Sequence, residues 1–362
     1  MANAFLERIP YILAAILIFG VLIAVHELGH FLAAKLSGVQ VNEFSIGMGP
    51  TLWHRQKGET QYSLRALPIG GFCAMEGEDE DSENPRALNR QGFWKKFFIF
   101  VAGAAMNFLT GFLIILILFS GAESFFLPVL KGTAPEFSQR NETVLQAGDE
   151  IWSINGERVY IYGDVSLLLG LSKQQPVDMV VIRDGEKVAV NDISWGTYTS
   201  SDGSSYQGYG LFISQSDTVK ATVGAKLKYS WLNAVDFVRE VRLSLQMLLT
   251  GKASMNDVSG PVGIVSTITE VGQQSASVQD AVENILYLAA LIAVNLAVMN
   301  LLPIPALDGG HILFLVLDEL ALLLFRRRIP AKYEAALNIV FFVALMGFMA
   351  VVTFHDVFKL IQ

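Results

Sequence analysis

The sequence predicts a polytopic α-helical membrane protein with about four transmembrane helices, a β-hairpin after the first and one extracytoplasmic β-rich domain. Hydrophobic residues make up 52% of the 362 residues and charged residues only 17%, against roughly a quarter charged residues in a soluble domain. Four stretches are apolar over about the 20 residues that a helix needs to cross a bilayer. A long segment between the second and third stretches has the short apolar alternation that is typical of strands.

Charge and cysteine content exclude other classes of protein. The formal net charge is −8 and no stretch is rich in lysine or arginine, so a nucleic-acid partner is not expected. Cys73 is the one cysteine of the sequence. It excludes an internal disulfide and a zinc site built on several cysteines.

The predicted spans follow one another with clear boundaries. They cover residues 9–34, 97–119, 285–307 and 339–354. A shorter apolar piece, 312–325, contains Asp318 and Glu319, and its length indicates a buried or partly inserted helix. The first span could instead be a signal peptide, but it is too long, follows Glu7 and Arg8, and leads directly into the sequence HELGH.

Basic residues in short loops predict the orientation of the chain. The loops between spans one and two and between spans three and four hold twelve lysines and arginines, whereas each terminal tail holds one. Because such loops stay on the cytoplasmic side, both termini and the segment from about 121 to 280 are expected outside.

The outer segment divides into two predicted parts. Residues 125–216 alternate in short apolar runs broken by glycine and aspartate, which indicates a β-rich domain. In residues 222–249 apolar residues recur every three or four positions, which predicts an amphipathic helix. Its apolar face could lie in the membrane interface or pack on the β-rich domain.

The loop between spans one and two has two extended segments around a turn at 56–60, which predicts a β-hairpin over 39–75. An acidic run, EDEDSE at 78–83, follows the hairpin and is interpreted as a solvated loop.

Catalytic chemistry is indicated by HELGH in the first span. His26 and His30 are four residues apart and share one helix face, while Glu27 can reach a water molecule bound to the metal between them. Ionisable groups at membrane depth are costly and are usually functional. The spacing therefore predicts two zinc ligands and a general base.

A third ligand is expected at matching depth, because catalytic zinc takes three protein ligands. Spans one and three run in the same direction, and the third ends in NLLPIPALDGGH, which places Asp308 at the level of His26. Asp308 could instead cap a helix outside the membrane, and Glu319 is the nearest rival ligand. His311 could also bind metal, but two histidines and one carboxylate complete the set.

These paired motifs resemble the site-2 protease family of intramembrane zinc metalloproteases, in its bacterial RseP/RasP branch. FSIGMGP and LPIGGF in the first loop, GAAMN at 103–107 and SGPVGI at 259–264 support the resemblance. The stretch AGDEIWSINGERV at 147–159 resembles the core of a PDZ domain. The outer region has room for one such domain, whereas two tandem PDZ domains occur in this branch.

The resemblance implies a function and roles for particular residues. His26, His30 and Asp308 would bind Zn²⁺, Glu27 would activate the water, and Asn300 and Pro303 would contact substrate. Asn107 matches an asparagine near the family's active site, although helix packing also explains it. The hairpin would be a membrane-associated element that pairs with an unwound substrate. The expected partners are the lipid bilayer and transmembrane segments of substrates such as anti-sigma factors and remnant signal peptides.

The sequence therefore predicts a zinc endopeptidase of the bacterial inner membrane that cleaves single-span membrane proteins, with its active site toward the cytoplasm. Two alternatives stay open: a catalytically inactive scaffold, and a membrane metalloprotease of another zincin type. The predicted parts are the first transmembrane helix (1–37), the hairpin loop (38–96), the second transmembrane helix (97–120), the PDZ-like domain (121–217), the amphipathic helix and linker (218–280), the third transmembrane helix (281–311), a cytoplasmic-side segment (312–332) and the fourth transmembrane helix with the tail (333–362).

Overall fold

The computed structural model describes residues 2–78, 80–137, 145–200, 203–252, 254 and 257–361. Its helices are α1 (Ala2–Ser37), α2 (Phe93–Ser120), α3 (Gly163–Leu171), α4 (Val223–Leu249), α5 (Pro261–Gln274), α6 (Val278–Asn300), α7 (Asp308–Phe325) and α8 (Ala331–Ile361), besides a short 3₁₀ turn at Leu88–Arg90. Within these residues, four helices are long and apolar enough to cross a membrane, namely α1, α2, α6 and α8. The prediction of about four spans is confirmed.

Glycines allow the membrane helices to approach one another closely. A side chain on Gly29 of α1 would collide with the backbone carbonyl of Ala102 on α2, and one on Gly111 would come within 2.7 Å of Val294 Cγ2 on α6. Small residues at such crossings are typical of helices that pack in a bilayer. α2 is thus held between α1 and α6.

Helix α5 was not predicted as a separate helix. Its amino-terminal end is capped by Asp356 of α8, whose buried carboxylate accepts hydrogen bonds from the Gly260 and Gly263 amides at 2.9 and 2.8 Å. A carboxylate at this end of a helix satisfies amides that lack a partner within the helix and favours the helix dipole. α5 packs against the first half of α1, where Ile268 and Ala15 are fully buried.

The hairpin between α1 and α2 is more curled than the sequence predicted. Its strands are β1 (Val41–Lys57) and β2 (Thr60–Met75). Residues 43–46 of β1 pair with 71–74 of β2 in antiparallel register. The same residues also pair with 61–64 of β2, in parallel register. Residues 61–64 pair in turn with 53–56 of β1. The two long strands therefore form four sheet positions, in the order 71–75, 41–46, 60–64 and 53–57.

The turn of the hairpin is fastened to its surroundings by Glu59. Its carboxylate accepts hydrogen bonds from Lys35 at the end of α1, at 2.7 Å, and from Arg86, at 2.5 and 2.8 Å. Hydrogen bonds from Arg86 and then Lys35 lower the pKa of Glu59 from its ordinary value to about 2. The carboxylate therefore stays charged at neutral pH, and these contacts place the hairpin beside the end of α1.

A second compact unit, Leu116–Asp236, is rich in strands. β5 (Glu150–Ile154), β6 (Glu157–Arg158), β7 (Val177–Arg183) and β8 (Glu186–Ile193) form an antiparallel sheet in the order β6-β5-β7-β8. The described residues of the unit also form three strand pairs: β3 (Ser124–Phe126) with β12 (Thr218–Lys220), β4 (Leu130–Thr133) with β11 (Leu211–Ile213), and β9 (Gly196–Thr199) with β10 (Ser205–Gly208). The prediction of a β-rich region is confirmed.

The faces of α4 differ from a simple amphipathic pattern. Val223, Leu227 and Trp231 from the predicted apolar face are exposed. Asn233 and Asp236, which the pattern places on other faces, are buried. Val241 of the apolar stripe is also buried, so burial on this helix follows the stripe only in part.

Candidate metal centre

Three side chains that the sequence predicted as ligands lie together. His26 and His30 are one turn apart on α1, with their Nε2 atoms 3.2 Å from each other. Asp308, the first residue of α7, places its Oδ2 3.2 Å from His26 Nε2 and 3.4 Å from His30 Nε2. The three potential ligand atoms all lie within 4.8 Å of one another, so one metal ion can contact all of them.

The burial and the ligand chemistry of these three side chains favour a bound cation. Asp308 Oδ2 is buried and, although two imidazole nitrogens lie close to it, it makes no hydrogen bond of good geometry within the described part of the chain. A buried carboxylate oxygen without a partner is costly. Two imidazoles and one carboxylate that converge in this way match the ligand set of a catalytic zinc site, with a position left for water.

The second nitrogen of each imidazole is also positioned. His30 Nδ1 lies 2.8 Å from the backbone carbonyl of Ile99 on α2. Because a carbonyl only accepts, Nδ1 must carry the proton, which leaves the Nε2 lone pair for a metal. His26 Nδ1 lies 3.4 Å from the Asn300 side-chain amide at the end of α6. Rotation of that amide exchanges its nitrogen and oxygen, so the Asn300 side-chain oxygen can accept a hydrogen bond from His26 Nδ1–H.

Gly103 of α2 leaves the room that the two imidazoles occupy. A Cβ built on this residue would lie 2.8 Å from His26 Cε1 and closer still to His30 Nε2. The sequence motif GAAMN contains this glycine, but the need for it comes from the contact between α1 and α2. α2 therefore shapes the metal site without offering a ligand.

Substituting Gly103 with alanine is expected to displace both imidazoles and to lower the zinc content to less than about a tenth of one ion per chain. The reason is that a Cβ cannot approach heavy atoms this closely without moving them, and zinc ligation tolerates deviations of only about 0.2 Å. Metal analysis of the purified protein measures the effect. Gly347→Ala on α8 is the matched control, because no described residue lies within 4 Å of its added Cβ. A zinc content of one ion per chain in Gly103→Ala would contradict this role of the glycine.

A tight turn delivers Asp308 to the site. Side chains on Gly309 and Gly310 would collide with the backbone carbonyls of Leu302 and Ile304. Ala306 adopts a φ of 74°, which L-residues rarely adopt, and Asn338 Oδ1 of α8 accepts its backbone amide at 3.1 Å. Asn338 thus stabilises a strained turn immediately before the carboxylate.

A cavity of about 470 Å³ opens beside the three side chains. Glu27 lines it without belonging to the cluster of potential ligands. The hairpin forms another wall, where the backbone of Cys73 interacts with the Glu27 carboxylate and Gly71 leaves space next to it. Glu27 therefore faces the cavity beside the three potential ligands.

Not every residue singled out by the sequence lines this cavity. Asn107, Asn300 and Pro303 are all absent from the described lining, although Asn300 lies next to His26. Asn107 is buried within α2, and its side-chain oxygen has no hydrogen-bond partner among the described residues. Glu319 follows Asp308 by 11 positions on α7, about 16 Å along a helix, and is outside the ligand cluster.

Sequence reasoning missed three groups that support the site: the Ile99 carbonyl, the space at Gly103 and the Asn338 amide. A backbone carbonyl has no signature in sequence, and Asn338 is 32 positions from the amide that it holds. GAAMN was the one available signal, and it marked the helix without assigning a role to the glycine.

The chain is similar to known proteins over nearly its whole length. Residues 14–348 match peptidase family M50. A Clostridium perfringens protein named "putative zinc metalloprotease" is 37% identical over 350 residues, covering 96% of this chain and 98% of that protein. A similarly named Fusobacterium nucleatum protein is 30% identical, with 96% and 98% covered. The regulator of sigma-W protease RasP of Bacillus subtilis is 28% identical over 434 residues, with 96% and 98% covered.

Proposed function

This chain belongs to peptidase family M50 and is a site-2 type zinc metalloprotease, and from this premise we propose that it cleaves single-span membrane proteins in or beside their transmembrane segments. The observation that carries the proposal is the cluster of His26, His30 and Asp308 next to Glu27, at one cavity among membrane-spanning helices.

We assign His26, His30 and Asp308 as the zinc ligands and Glu27 as the general base. Zinc bound there supplies a Lewis acid and an acidified water. Glu27 takes a proton from the attacking water as its oxygen bonds to the scissile carbonyl carbon, and it returns that proton to the leaving nitrogen as the C–N bond breaks. Ile99 and Asn300 keep the imidazoles oriented throughout.

The edge of the hairpin suits an extended substrate. Residues 71–75 pair with 41–46 on one side, and the described chain places no strand on their other side. Met75 donates its amide to Glu78 at 3.1 Å and Cys73 interacts with Glu27, so alternate backbone groups face away from β1. A transmembrane helix hides its amides and must become extended before water can attack. We propose that the extended stretch pairs with this edge.

Exposed apolar side chains of the hairpin support its association with the membrane. They are Ile46, Met48, Leu52, Trp53, Leu64 and Leu67. Apolar surface of this extent is uncommon on a domain surrounded by water. The basic residues of the loops favour an active site toward the cytoplasm and both termini outside. Residues 121–217 would then form a single extracytoplasmic PDZ-like domain.

The substrates are proposed to be anti-sigma factors and remnant signal peptides. Support comes from the relative whose printed name is regulator of sigma-W protease. Both classes present one short hydrophobic span, which one cavity and one strand edge can accommodate.

Cross-linking tests how a transmembrane segment binds. In a Glu27→Gln, Cys73→Ala protein, Ala74→Cys places a single thiol on the edge strand, and test substrates carry one cysteine at successive positions of their span. Cross-links are expected at every second substrate position, because side chains of a strand alternate. A cysteine at His54, on the far segment of the sheet, is the control and is expected to give none. A repeat of three to four positions, or equal yields from both enzyme cysteines, would contradict the proposed pairing.

A further inference from the structure

The active-site cavity contains a third histidine that is not part of the ligand cluster. His311 lines the cavity together with Glu27 and Asp308. It lies three residues after Asp308 on α7, and positions three apart are neighbours on a helix surface. The zinc site is complete without it, because two histidines and one carboxylate already converge.

His311 is held in a defined orientation from two sides. Its Nδ1 lies 3.2 Å from Glu334 Oε1 of α8. Its ring stacks on Phe100 of α2, with ring centres 5.1 Å apart and planes inclined by 17°. A carboxylate accepts, so Nδ1 donates, and the nitrogen that remains for a ligand in the cavity is Nε2.

The surroundings of His311 favour its charged form. The Glu334 hydrogen bond raises the pKa of His311, and this effect outweighs burial, which lowers it. Among the described residues, the charged groups that act on the imidazole are Glu334 of α8, Glu78 after the hairpin and Asp308 of its own helix, while α2 contributes the Phe100 ring. In the imidazolium form both ring nitrogens are donors.

We propose that His311 is a catalytic residue whose Nε2–H donates a hydrogen bond to the scissile carbonyl oxygen as that oxygen gains negative charge, with Glu334 as the residue that positions it. The proposal rests on the proteolysis proposed above. Glu27 and His311 line one cavity, so the group that moves the proton and the group that stabilises the charge can act on one peptide. Donors already oriented toward a developing oxyanion are among the strongest contributions to catalysis.

The test compares His311→Ala with the wild-type protein, purified and reconstituted with a single-span substrate. We expect kcat to fall by about 10²–10³-fold, as for removal of one oxyanion donor, with KM within about threefold and zinc still at one ion per chain. His311→Gln offers a neutral donor and is expected to recover about tenfold in kcat. His54→Gln, an exposed histidine on the far segment of the hairpin, is the matched control and is expected to retain wild-type kcat.

A pH profile separates this role from simple packing. The imidazolium is required, so activity is expected to fall as pH rises through the pKa of His311. Because Glu334→Gln removes the carboxylate that raises the pKa of His311, that pKa is expected to fall. The alkaline limb of the pH profile is then expected to move to lower pH. This second variant and His311→Gln keep the test valid if His311→Ala does not fold.

Two outcomes overturn the assignment: kcat of His311→Ala within threefold of wild type, or a loss of activity that follows loss of zinc. An unmoved alkaline limb in Glu334→Gln contradicts the role of its carboxylate. Wild-type protein that leaves the substrate intact contradicts the proposed proteolysis itself. That result is distinguished from failure of the His311 assignment, in which the wild type cleaves and His311→Ala cleaves equally well.

Discussion

Replacing Glu27 with glutamine is expected to lower the cleavage rate by about 10²–10⁴-fold, the usual contribution of a general base, while zinc remains at one ion per chain. Glutamine has nearly the size of glutamate and keeps the contact with the hairpin wall, but it cannot take a proton from water. The loss is therefore expected in kcat and not in metal content or substrate affinity.

Steady-state cleavage of a reconstituted single-span substrate, with metal analysis of the same samples, makes this measurement. Glu283→Gln makes the same substitution at an exposed position of α6 and is expected to retain wild-type activity. Activity of Glu27→Gln near the wild-type level would mean that another group is the base. Loss of zinc together with activity would mean that Glu27 supports the metal instead of the proton transfer.

Asp308→Ala is expected to abolish stable zinc binding, with affinity reduced by more than about 100-fold. Loss of an outer-shell partner already costs about 10–100-fold, and this substitution removes one of three direct ligands. It also leaves two imidazoles facing a space without a counter-charge. Competition with a chromogenic chelator measures the change in affinity.

Glu319→Ala is the control for Asp308→Ala, since both residues lie on α7 and Glu319 was the rival carboxylate. Full zinc in Glu319→Ala and loss in Asp308→Ala is the expected pair of results. The reverse pair would contradict the ligand assignment and would require a different arrangement of α7 beside α1.

The juxtaposition of the three candidate ligands could be predicted from sequence because each step depends on a local rule. His26 and His30 share a helix face through their spacing, and the apolar spans set their depth. The direction of successive spans then brings the end of α6, and with it Asp308, to the same depth in the membrane as His26 and His30. No contact between distant side chains was needed for that conclusion.

Other features depend on such contacts and could not be predicted. α5 begins where it does because Asp356, 96 residues from Gly260, caps it. The hairpin curls because residues 61–64 pair with both halves of β1, and alternation alone gives no register between such segments. A glycine is needed at position 103 because α2 touches the two histidines of α1 there. Long-range geometry of this kind leaves no local pattern.

The most direct test of intramembrane proteolysis is to map the cut in a single-span substrate by mass spectrometry of both products, after incubation with the reconstituted zinc-loaded protein. A cut within the hydrophobic span, absent after chelation, restored by zinc and absent with Glu27→Gln, is the predicted result. Cuts confined to water-exposed loops, or an intact substrate despite one zinc per chain, would contradict the account.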